Sequence, residues 1–174
     1  MNPARSAALA FALAFALCAQ QFRFNLDHLA AKASDSVDVS LNSSMLQFAG
    51  KFLDGKDPDE AQVKKLIAGL EGIYIKSFEF KQEGAWSQAD LDQVRNQLKA
   101  PDWSRIVGFQ SSEDRQNVEV HVRSQNGKVT GIAVLAIGPK EFTVANIVGA
   151  LDLDSLAELG GHFGLPKIEQ KKKK

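Results

Sequence analysis

At 174 residues, with 44% hydrophobic and 24% charged residues, the chain is long enough to bury one full core and too apolar for intrinsic disorder. Once Arg5 and the terminal Lys171 to Lys174 are set aside, 16 basic residues remain against 21 acidic ones, so no basic face supports nucleic-acid binding. A single cysteine, Cys18, excludes an internal disulfide and a thiolate zinc site and leaves stability to the hydrophobic core.

Arg5 precedes an Ala/Leu/Phe run from Ala7 to about Ala19, too short to span a bilayer but suited to the charged and apolar regions of an export signal. Residues 1–19 are therefore expected to be a cleaved signal, with cleavage after Ala19 or Ala16, and the bulky Leu17 argues against a lipid anchor on Cys18. Residues 20–166 are expected to form one domain, and 167–174 a basic tail, which is most simply a solvated end.

Leu26, Leu29 and Ala33 give a short amphipathic stretch, and Val37, Val39 and Leu41 alternate with polar residues as a strand. Asn42 or Ser43 caps a helix carrying Leu46, Ala49, Phe52 and Leu53. Asp57-Pro58-Asp59-Glu60 opens a second helix, in which Val63, Leu66, Ile67 and Leu70 recur at helical spacing up to Gly72. Ile73 to Lys81 reads as a strand, and Ser87 to Asp90 opens a helix with Leu91, Val94 and Leu98 inward and Pro101 as its stop.

Four sequential strands follow. Ile106 to Gln110 is the first. In the second, Val118, Val120 and Val122 oppose Glu119, His121 and Arg123, whose side is expected to be wet. Asn126-Gly127 predicts a type I′ hairpin turn, because both residues tolerate positive φ. Val129 to Ile137 is apolar on both parities and should be central, and after Gly138-Pro139 the run Phe142, Val144 and Val148 with Ala145 and Ile147 closes the group. Asp152 to Leu159 reads as a last helix ended by Gly160-Gly161. The order predicts a single α+β domain: a mostly antiparallel sheet with a four-stranded C-terminal meander and helices packed on one face. The strands flanking the third helix allow a right-handed crossover.

Motifs for metal binding, nucleophilic hydrolysis and phosphate cradling are missing, so no cofactor or metal is expected. Three constellations remain. Glu119, His121 and Arg123 share one strand face and suit a small anion or a polarised carbonyl, although a solvated face presents the same pattern. Asp152, Asp154 and Glu158 with His162 form a second group, which helix capping also explains. Tyr74, Phe78, Phe80, Trp86, Trp103 and Phe109 are aromatic candidates for a ligand pocket or for plain core; of these Tyr74, Trp86 and Trp103 are the candidate contacts.

The segments Leu26-Asp27-His28-Leu29, Val37-Asp38-Val39-Ser40-Leu41, Gly72 to Phe80, Pro101-Asp102-Trp103-Ser104, and Asn146-Ile147-Val148-Gly149 with Asp152-Leu153 carry a resemblance from about Leu26 to Pro166. The chain resembles the exported bacterial proteins known as domain of unknown function 4252. The resemblance implies an exported or envelope-attached protein with no established activity, ligand or catalytic residues, in the setting of extracytoplasmic sigma factors and their regulators. The cysteine context departs from the lipoprotein-like members.

Two functions follow as expectations. The first is a non-enzymatic envelope module, binding a protein partner or an apolar small molecule, in envelope stress signalling. The alternative is an enzyme of unrecognised type using Glu119 and His121, or the Asp152 to His162 group. The mature chain is expected to have no transmembrane span.

Overall fold

A computed structural model describes residues 25–151. The expected export signal, the helix at 152–159, His162 and the basic tail lie outside the described residues. In chain order the elements are α1 (Asp27–Ala30), β1 (Asp35–Asn42), α2 (Ser43–Gly50), α3 (Pro58–Gly69), β2 (Leu70–Glu79), α4 (Gln88–Gln97), β3 (Trp103–Gln110), β4 (Asn117–Gln125), β5 (Lys128–Gly138) and β6 (Glu141–Leu151).

Local chemistry accounts for the boundaries. Asn42 Oδ1 accepts the Met45 N–H at 3.0 Å and starts α2. At the head of α4 the Asp90 carboxylate accepts from the Ser87 backbone N–H at 2.8 Å and from its hydroxyl at 2.7 Å. Asn126 and Gly127 have φ of 52° and 75°, as the expected hairpin turn requires.

The six strands form one open antiparallel sheet in the order β1-β2-β6-β5-β4-β3. The meander β3 to β6 is present, and β5 is interior, as its two apolar parities demand. Through four successive antiparallel pairings β2 and β3 run the same way, so α4 joins two parallel strands by crossing three others. Such a crossover lays α4 across one face.

On that face the register aligns Phe78, Phe142 and Ile137 in one row, and Lys76, Val144, Leu135 and Glu119 in the next. Leu91 and Val94 of α4, Leu98 at its C-cap, Leu29 of α1 and Leu26 at the α1 N-cap complete the main core over it. Polar ties hold α1 in place: Lys76 donates to Asp27 at 3.0 Å and Asp38 at 2.8 Å, and His28 meets Asp90 at 2.8 Å. The helices are distributed more widely than the single face expected. Helices α2 and α3 pack on the opposite face, over Leu41, Ile73, Ile147 and Ile132 at one end, with Leu46, Leu70 and Leu151 buried there. The cause is β5 and β6, whose second apolar face also has to leave water.

The tightest backbone approach leaves no room for a side chain. Gly149 has φ of 145°, and a Cβ on it would lie 2.4 Å from the Gly69 carbonyl oxygen. Gly127 also needs positive φ, but nothing stands within 4 Å of where its Cβ would be. Gly149→Ala is therefore expected to cost about 3 kcal/mol of unfolding free energy, and Gly127→Ala about 1 kcal/mol, in urea melts of the two variants.

Candidate functional site

The polar side of β4 is where sequence reasoning needs its main correction. Glu119 and His121 were expected on a wet face, yet they are 3% and 6% exposed, while Val118 and Val120 lie half-exposed on the other side. Register explains the reversal: Glu119 and His121 stand opposite Leu135 and Ala133, on the face that α4 covers. Alternation along β4 holds, but the more exposed side is the apolar one, at Val118 and Val120, while Val122 on that side is buried.

Burying a carboxylate demands a partner, and α4 supplies it. Arg95 donates from a terminal guanidinium nitrogen to one oxygen of Glu119, and His121 Nε2 lies 3.1 Å from the other. An ionised carboxylate only accepts, so the imidazole Nε2–H is the donor. Burial pushes the Glu119 carboxyl up, but the bonds from Arg95 and His121 outweigh it and hold the group below the usual carboxylate range. Both carboxylate oxygens are thus engaged, and the group acts as a clamp between α4 and the sheet.

Around the clamp lie buried polar atoms without partners: Nδ1 of His121, Nε of Arg123, and both amide atoms of Asn146. Asn146, Ala133 and His121 form one row with Tyr74; Gly131, Arg123 and Trp103 form the next. The Trp103 ring lies over Gly131, where an added Cβ would stand 3.2 Å from it. Tyr74 is half-buried with its hydroxyl over Gly72. Trp86 sits at the far end, donating its indole N–H to the Gly138 carbonyl at 2.9 Å and meeting Phe142 edge-on at 5.6 Å.

The structure therefore brings Glu119, His121 and Arg123 together on one interior face but sets Trp86 apart. Phe109 leaves the aromatic group altogether, 56% exposed on the opposite face. Three surface clefts, of about 540, 560 and 330 Å³, gather around Ser34, Phe80, Glu83 and Arg115, and none of these three is lined by Glu119, His121 or Asn146. The Asp152, Asp154, Glu158 and His162 group lies outside the described residues. Among the described residues no cluster of His, Cys, Asp and Glu is arranged to hold a metal ion, and no helix is long and apolar enough to cross a membrane.

Sequence reasoning missed Arg95 and Asn146. Both had a signal. Arg95 follows Leu91 by four and precedes Leu98 by three, which puts it beside the inward stripe of α4. Asn146 shares its parity with the buried Phe142, Val144 and Val148.

The other face of the sheet carries the second candidate. Val39, Ile75, Ala145, Val134, Val120 and Val107 form one lateral row through all six strands. The next row outward is Val37, Ser77, Thr143, Ala136, Val118 and Phe109, in which Ser77 and Thr143 bond only to each other across the strands at 2.7 Å, apart from a long 3.5 Å contact to Glu141. Helices α2 and α3 stop short of these rows, and Val37 at 52% and Ile106 at 57% join Phe109 in water.

The family model described as Domain of unknown function (DUF4252) matches residues 30–159. No curated protein matches the chain.

The clamp makes a measurable prediction. A lowered folded-state value means that Glu119 contributes stability above the unfolded carboxylate value and loses it as pH falls through the folded one. Arg95→Met strands the buried carboxylate, so it should cost about 3 kcal/mol at neutral pH. The deficit against the native protein should shrink as pH falls, because burial without Arg95 raises the Glu119 carboxyl and the variant takes up its proton at a higher pH than the native protein does. Urea melts at several pH values read this directly.

Proposed function

Because the chain belongs to the DUF4252 family, whose description assigns no activity, we propose a reading built from its own surface: an exported envelope module, without catalysis of its own, that holds a protein partner on the open apolar face of its sheet. The observation that carries this is the uninterrupted apolar row from Val39 to Val107, half-exposed beyond the reach of α2 and α3 and, among the described residues, flanked by the exposed Val37 and Phe109. Soluble proteins rarely expose contiguous apolar patches beyond a few hundred Å² unless something covers them.

A flat face favours a protein over an apolar small molecule, since small ligands are held in concave sites that enclose most of their surface. Engagement of both Glu119 oxygens speaks against a reacting role for that carboxylate. Export is supported by Arg5 and the Ala7 to Ala19 run, and a partner-binding module fits the envelope-signalling setting that the family resemblance implies.

Benzoylphenylalanine in place of Val120 or Val134 should, on irradiation in the native envelope, give a discrete adduct to one protein species, while the same probe at exposed Lys128 should not. Absence of any adduct from both face positions would overturn the reading. Separately, mass spectrometry of the protein recovered from its host should find an N-terminus at residue 17 or 20; an intact Met1 would remove the case for a cleaved export signal.

A further inference from the structure

We infer that the partner on this face is a second copy of this chain, the two open sheet faces packed against each other about a two-fold axis. This rests on the partner-binding reading above and names its occupant. A surface that meets its own copy must be its own complement. The two open rows satisfy that condition: they hold no charged residue, and their only hydroxyls, on Ser77 and Thr143, bond to each other across the strands. Such a face asks nothing polar of its partner.

The surroundings narrow the choice. Asp35, Glu79 and Glu141 pair in register at the free end of the same face, an acidic border that repels an anionic membrane surface. Edge-to-edge association is discouraged at β3, where the register slips between Arg105 and Val107 and Ile106 bulges out of the ladder. Face-to-face packing suits this surface, since two apolar sheet faces pack about 10 Å apart.

Size is adequate. Six strands about 4.8 Å apart span about 29 Å, and two open rows with their margins cover about 15 Å along the strands. The flat footprint is thus about 450 Å² on each copy, which side-chain relief carries to about 1,000 Å² in total, where specific interfaces begin. Geometry also sets the orientation. Because α2 and α3 occupy one end of the face, an axis along the strands would set the two helix layers on each other, so the axis runs across the strands and brings each helix layer to the acidic border of the other copy. In that arrangement Val134 of one copy stands near Ala136 of the other, and the two acidic borders lie at opposite ends.

The experiment is sedimentation equilibrium on the chain in the form recovered from its host, beside Val134→Lys checked for folding by circular dichroism. The native protein is expected to sediment at twice the chain mass, and the variant as a monomer. Should the lysine variant fail to fold, Val134→Cys with a short bismaleimide gives the same answer: a covalent dimer is expected from it, and none from Ser36→Cys on the other face or from the unsubstituted chain. A native monomer whose position 134 still photo-crosslinks to another protein would overturn self-association and leave the partner-binding reading standing. A monomer with no adduct would overturn both. A dimer that crosslinks through Ser36→Cys but not Val134→Cys would place the interface elsewhere and overturn the inference.

Discussion

Two adjacent central strands that are apolar on both parities set the terms for the rest of this molecule. Leu135 and Val144 need cover on one side of the sheet, and Val134, Ile132 and Ile147 need it on the other. A β-strand surrounded by strands has no freedom to rotate one face away, so both faces need a layer. The chain meets the first demand with α4, carried across three strands by its crossover, and with the Leu26 and Leu29 plug. Among the described residues it meets the second only at one end, with α2 and α3. The half that the described residues leave open is the face on which the proposed partner is placed.

Arg95, Glu119 and His121 show how a polar side can be turned inward without collapse of the fold. An unpaired buried carboxylate costs several kcal/mol, more than a single apolar contact returns. A guanidinium on α4 and an imidazole two residues along the same strand engage both oxygens. The clamp therefore does for α4 what apolar packing alone does less specifically: it pins the helix at one position along β4. Leu91, Val94 and Leu98 provide the contact area, and Arg95 selects the place.

The short N-terminal helix has a similar division of labour. Leu26 and Leu29 are fully buried, while Asp27 and His28 reach sideways to Lys76 and to the head of α4. Four residues form no stable helix alone. Here they hold because the sheet and α4 supply the contacts on either side. This gives a physical role to Leu26-Asp27-His28-Leu29, which as sequence is only one strand of a family resemblance.

By itself the sequence determined where the elements lie and of what kind they are. Hairpin chemistry at Asn126-Gly127, the caps at Asn42 and Ser87, the helical spacing of Leu91, Val94 and Leu98, and the double parity of β5 are all local, and local signals survive folding because neighbours along the chain dictate them. Which side of β4 faces water was not local. Alternation says that Glu119 and Val120 oppose each other, but only the register with Leu135 and the arrival of Arg95 from a distant helix decide which of them is buried. The same holds for the strand order, the pairing of β6 with β2, and the division of helices between two faces, since each depends on contacts between segments far apart in the chain, where sequence spacing carries no information about distance.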